Sequence, residues 1–176
     1  MTDTALSVAI CPGSYDPVTL GHIDVIRRTA RVFDKVVVGV VRDPHHKQTT
    51  FSVEERVAFL NDVLHADTNV VVDVFAELVV DFARRHGART MVKGLRVLAD
   101  FEWEAQMNRL NHLLAPEVET MYVLASPAYA FVSSSGVKEI AAFGGKVDEL
   151  VPEAVARRFR ELWPDGRPGA PLGPQE

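Results

Sequence analysis

The run "KVVVGVV" at Lys35 to Val41 narrows the choice of folds more than any other stretch. Its valines follow one another without the polar alternation that a strand with one wet face shows. A strand buried on both faces belongs inside a covered sheet, and such sheets are built from parallel strands joined by helical crossovers. The neighbouring segments supply the crossovers. "HIDVIRRTARVF" sets Ile23, Ile26, Ala30 and Phe33 at helical spacing. "FSVEERVAFLNDVL" sets Val53, Val57, Leu60 and Leu64 on one face, behind Ser52 and Glu55 at the spacing of a capping box.

The alternation holds along the chain. Leu6 to Ile10 reads as a first strand, "NVVVDVF" as a third, "ARTMVKG" as a fourth and "ETMYVLA" as a fifth. Between them "ELVVDFARRHG" reads as a helix closed by Gly87, and "ADFEWEAQMNRLNHLLAP" as a long helix stopped near Pro116. A short helix at "SSGVKEIAAFGG" and a last one from about Val151 to Trp163, with Pro152 in its first turn, complete the pattern. The expectation is an α/β fold: a doubly wound (Rossmann-like) five-stranded parallel sheet with helices on both faces. It forms a single domain over residues 1–163, followed by a Pro/Gly-rich tail, 164–176, with too little apolar surface to order itself.

Composition limits what such a domain does. At 176 residues the chain can bury a substantial core without metals or disulfides, and its one cysteine has no internal partner. "MTDTALSVAI" lacks the basic segment and long apolar core of a signal peptide, and no run approaches the roughly 20 apolar residues of a membrane helix. A cytoplasmic protein without membrane contact is expected. The net charge of -5 argues against nucleic-acid binding but permits a small anionic ligand held by local cations and backbone N–H groups.

Ligands of doubly wound sheets bind beyond the carboxyl ends of the strands. Those ends carry "CPGSYDPVTLGH", "RDPHHKQTT", "AELVV", "KGLRVLADFEWE" and "SPAYAFVSSSGVK". Ser14, His22, Lys47, Lys93, Arg96 and Ser133 to Ser135 would converge there, which is the chemistry of a polyphosphate site. Neither G-x-x-x-x-G-K-[ST] nor a G-x-G-x-x-G after strand one is present. The first loop offers another grip: Gly13 permits close approach of the backbone, Asp16-Pro17 makes a turn, and Gly21 clears space at the helix start. His22 stands in the first turn of that helix, where an anion is already favoured, and can donate to a phosphoryl oxygen as charge builds there.

"GSYDPVTLGH" resembles the G-[ST]-[FY]-D-P-x-[TH]-x-G-H signature of the nucleotidyltransferase superfamily. "KGLRVLADFEWE" and "FVSSSGVKE" resemble two further signatures of the bacterial phosphopantetheine adenylyltransferases, and the likeness runs in order from about Ala9 to Leu162. The resemblance implies adenylyl transfer from ATP to 4′-phosphopantetheine, giving dephospho-coenzyme A and pyrophosphate, with Mg²⁺, a homohexamer, and coenzyme A as a feedback ligand. It implies that His22 stabilises the transition state. Ser14 would contact both substrates, and Lys47, Val79 and Lys93 would bind the acceptor. Tyr15, Gly94, Leu95, Arg96, Glu104 and the run Tyr129, Ala130, Phe131, Val132, Ser133, Ser134, Ser135 would bind ATP. Three positions depart from the pattern: Ser14 stands for a frequent Thr, Lys93 for Arg, and Lys138 for an Arg of the wider superfamily.

Blander readings stand beside these. Alone, His22 is a surface or capping histidine, Lys47, Lys93 and Arg96 are solvated cations, and one of the three serines is a helix cap. Asp16 is a turn former rather than a metal ligand, and Asp100 and Glu102 are acids at a helix start. His45 and His46 lack a spaced third ligand for zinc. Cys11 is a small buried residue, and Phe82 is core or an apolar lining. No helix face announces an interface. The rival functions are transfer to nicotinate mononucleotide and an ATP-sensing module without turnover.

Overall fold

The computed structural model describes residues 6–44, 48–164 and 166; Lys47, the histidine pair and nearly all of the tail lie outside them. The chain runs β1 (Val8–Gly13), α1 (Leu20–Ala30), β2 (Lys35–Val41), α2 (Val53–Leu64), β3 (Val70–Phe75) and α3 (Val79–Arg85). It continues β4 (Thr90–Leu95), α4 (Leu98–Leu114), β5 (Glu119–Leu124), α5 (Ser134–Ala142) and α6 (Glu153–Leu162). The strands form one parallel sheet of order β3-β2-β1-β4-β5, the doubly wound α/β architecture expected from the alternation.

Burial explains the valine run. Val36, Val38 and Val40 face a core built with Ile23 and Ile26 of α1, Leu60 of α2 and Phe159 of α6. Val37 faces the opposite layer, with Val80 and Phe82 of α3 and Met91 of β4. Phe82 is thus core. Gly39 is small for a steric reason: a Cβ there would lie 2.5 Å from Cε1 of Phe82 and 3.2 Å from Cε1 of Phe75.

Some boundaries moved. β1 begins at Val8 rather than Leu6 and continues through Cys11 and Pro12 to Gly13, because β2 pairs with it along that length. α1 stops at Ala30, and Phe33 packs on the core from beyond the helix end. Pro152 is the N-cap of α6 instead of a first-turn residue, with its carbonyl accepting from Val155 and Ala156.

α4 corrects one expectation. None of its residues is buried, although Leu98, Phe101, Leu110, Leu113 and Leu114 are large and apolar. Among the described residues this helix therefore presents an exposed apolar surface, with Phe101 packed edge-on against Tyr122.

Candidate active site

β1 is bordered by β2 on one side and β4 on the other, so the order of the strands reverses at β1. Its pairing with β4 ends at Ile10 with Met91, whereas its pairing with β2 runs on to Gly13 with Val40. The strands part toward their carboxyl ends and leave a crevice, the usual place for a ligand in such sheets. It opens into a cleft of about 770 Å³.

His22 lines this cleft from the first turn of α1. It also completes a capping box. The Thr19 hydroxyl accepts from the His22 N–H, and the Thr19 N–H donates to Nδ1 of the imidazole at 3.0 Å. A backbone N–H can only donate, so Nδ1 carries no proton and the neutral ring keeps its proton on Nε2. Burial, with a smaller contribution from the positive charge of Arg96, lowers the His22 pKa from 6.5 to about 4. The group offered to the cleft at neutral pH is therefore an uncharged N–H donor. The ring of Tyr15 braces it edge-on, with centroids 5.2 Å apart. Tyr15 itself has a φ of 49° and a hydroxyl committed to the Cys11 carbonyl, so its side chain shapes the site and has no free hydroxyl to offer a ligand. Burial raises the Cys11 thiol to about 12, and it is no nucleophile.

The cations are tethered. Arg96 grips Asp100 with Nε and Nη2 at 3.1 and 3.0 Å and reaches the Val132 carbonyl at 3.4 Å. Asp100, read from sequence as a helix-start acid, orients this arginine. Lys93 lies 3.5 Å from Glu104, so two residues expected on different substrates are neighbours. Ala99, Trp103, Met107 and Asn111 are spaced four apart on α4 and line the same wall.

Ser133 caps α5 by accepting from Gly136 N–H at 2.9 Å, and the Ser134 hydroxyl donates to the Pro17 carbonyl at 2.8 Å. Ser135 lines the cleft beside them, as do Ser14, Gly94, Tyr129 and Val132. Val79 lines it from the start of α3. Leu95 is buried outside the lining, Ala130 is half-buried outside it, and Phe131 is 74% exposed. Lys47 lies outside the described residues.

Two supports have partners that the sequence does not reveal. Asp16 is buried and accepts from the N–H groups of Thr50 and Phe51 and from Nζ of Lys138 at 2.8 Å, which fixes the first loop against α5. Arg56, the fourth residue of α2, is 1% exposed. It donates to the carbonyls of Ser14, Val41 and Arg42, each at 2.8 Å. Its place in "VEERVAF" gives no hint of this, because its partners are 14 to 42 residues away.

The profile of the cytidylyltransferase-like family matches residues 10–140, which span β1 to most of α5 and hence the whole crevice. A phosphopantetheine adenylyltransferase of Caldanaerobacter subterraneus subsp. tengcongensis is 49% identical over 156 residues, covering 89% of this chain and 97% of the relative. The chain belongs to the phosphopantetheine adenylyltransferase family. Another member of that family, from Heliobacterium modesticaldum, is 46% identical over 160 residues, covering 91% of this chain and 95% of its own. Among solved structures, Plasmodium falciparum nicotinic acid mononucleotide adenylyltransferase complexed with NaAD superimposes with a TM-score of 0.64. It covers 90% of this chain at 12% identity, so fold is what this adenylyltransferase family member shares with it.

Proposed function

We propose that the cleft transfers the adenylyl group of ATP to 4′-phosphopantetheine, giving dephospho-coenzyme A and pyrophosphate. The observation that carries this reading is the neutral His22, held by Thr19 so that its remaining N–H faces a cleft rimmed by Lys93, Arg96 and the Ser133–Ser135 turn. An oxygen of the acceptor phosphate attacks the α-phosphorus. The bond from that phosphorus to the bridging oxygen of the β-phosphate breaks, and pyrophosphate leaves with the electron pair. The acceptor phosphate ionises fully with a pKa of about 6, so at neutral pH the nucleophile needs no general base. Positioning and charge stabilisation carry the reaction.

His22 donates to the α-phosphoryl oxygen as its charge grows. Ser14 reaches both substrates; Lys47, Lys93 and Val79 serve the acceptor; Arg96, Glu104 and the Tyr129–Ser135 turn serve ATP. The family likeness at 49% identity supports this assignment. Mg²⁺ enters as the ion of the ATP polyphosphate. Glu104 and Asp100 are engaged by Lys93 and Arg96, and among the described residues no three metal-ligating side chains gather. Coenzyme A shares the adenine and pantetheine parts of the product, so it would compete for the same cleft as a feedback ligand.

We also propose a homohexamer acting in the cytoplasm. The apolar surface of α4 supports self-association, and no described helix is long and apolar enough to cross a membrane. The deciding experiment measures pyrophosphate release from ATP and Mg²⁺ with 4′-phosphopantetheine, and separately with nicotinate mononucleotide. Turnover with the first alone is expected. ATP binding without turnover of 4′-phosphopantetheine would overturn the assignment.

A further inference from the structure

The turn that follows β5 carries Ala125, Tyr129, Val132 and Ser133 into the cleft. Its far end is fixed by the Ser133 cap and by Arg96. Its near end is held by a different element. Asp24, on α1, accepts from the Ser126 hydroxyl at 2.7 Å and from Nη1 of Arg28 at 3.1 Å. The same Arg28 nitrogen donates to the Leu124 carbonyl at 2.7 Å. Side chains of α1 therefore grip the chain on both sides of Ala125, where β5 ends. Ser126 in turn accepts from Tyr129 N–H through its carbonyl at 2.8 Å, which closes the first bend of the turn.

Tyr129 then packs directly on α1. Its Cβ lies 3.3 Å from where a side chain at Gly21 would begin, so the turn sits against the helix start next to His22. Asp24 follows His22 by two residues on the same rigid helix. A contact spanning 102 residues of sequence thus ties the helix that carries the imidazole to the turn after β5. The serine–carboxylate and arginine–carboxylate bonds are charge-assisted, the stronger class of hydrogen bond.

We propose that Asp24, Arg28 and Ser126 are positioning residues for the nucleotide. They seat the Ser126–Ser135 turn at a fixed depth relative to His22, so that the grip on the polyphosphate and the His22 N–H bear on one ATP molecule. This rests on the adenylyl-transfer reading of the cleft. None of the three needs to touch a substrate, and none takes part in bond making.

The test uses the full chain with Ser126→Ala, Ser126→Thr, Asp24→Ala and the double variant Asp24→Ala/Ser126→Ala. The readouts are KM for each substrate, ATP binding by calorimetry without acceptor, and Tm. Loss of one charge-assisted bond should weaken ATP binding and raise its KM about tenfold, with KM for 4′-phosphopantetheine unchanged. Ser126→Thr keeps the hydroxyl and should retain wild-type ATP binding. The double variant should be no weaker than Asp24→Ala alone, because both changes remove the same bond. A lower Tm with ATP affinity intact, or equal losses for both substrates, would overturn the proposal. If the wild-type protein binds ATP but does not turn over 4′-phosphopantetheine, the functional reading fails. The calorimetry on Ser126→Ala then still decides the positioning role.

Discussion

His22 has two tasks that can be separated by substitution. As the third residue of α1 it accepts from the Thr19 N–H, and through its other nitrogen it serves the cleft. His22→Ala removes both. Losing a charge-stabilising donor in the transition state costs about 10²–10³-fold in kcat with KM little changed. Losing the capping partner costs about 0.5–2 kcal/mol. For a chain of this size that lowers Tm by roughly 1–8 °C.

His22→Glu should split the two effects. α2 of the same molecule is capped in this way, with the Glu55 carboxylate accepting from Ser52 N–H at 2.9 Å. A glutamate at position 22 would restore that bond to Thr19, and an acid is favoured in a first turn. It has no donor for a phosphoryl oxygen and adds negative charge where a phosphate must sit. Its kcat should therefore be at least as low as that of His22→Ala, while its Tm returns toward the wild-type value. Steady-state pyrophosphate release at saturating substrates and thermal unfolding at neutral pH report the two quantities. Near-wild-type kcat in either variant would remove the Nε2 donor from the mechanism. A Tm for His22→Glu as low as that for His22→Ala would remove the cap.

Further outcomes are expected. In an NMR titration of the free protein, the His22 ring should stay neutral down to a pH near 4, against 6.5 for an ordinary histidine. The unfolded chain then binds the proton first, so the contribution of His22 to stability is complete above pH 6.5 and declines as pH falls toward 4. A midpoint near 6.5 would show that the ring is not desolvated as the fold implies. Gly39→Ala should lower Tm by roughly 2–12 °C through overpacking, and Phe82→Leu in the same chain should recover part of it. An unchanged Tm would contradict the close approach of Phe82. Leu113→Asp, at a position 78% exposed on α4, should leave circular dichroism unchanged while reducing the mass seen by light scattering. The same mass in both proteins would show that this face is not the interface.

The parts of this protein legible in the sequence are those decided within a few residues. The valine run and the Ser52–Glu55 box set β2 and α2 nearly to the residue, and helical spacing located α1 to within about a turn, because periodicity and capping act locally. The strand-end loops could be named as a group because parallel strands must all point one way. Other features depend on partners distant in the chain. Asp16 looked like a turn former until Thr50, Phe51 and Lys138 were seen to converge on it. Arg56 and Ser126 had no marker at all, since their roles come from carbonyls and a carboxylate brought close by the sheet. α4 read as an ordinary helix, and only the packed fold shows that Leu98, Leu110, Leu113 and Leu114 stay exposed among the described residues.

His22 shows the division most plainly. Its place at a helix start was written in "TLGH", but its charge state was not. A neutral imidazole follows from burial, from Arg96 beyond β4, and from a backbone N–H aimed at Nδ1. Local sequence places a side chain along an element; its desolvation and its charged neighbours are set only when the sheet closes.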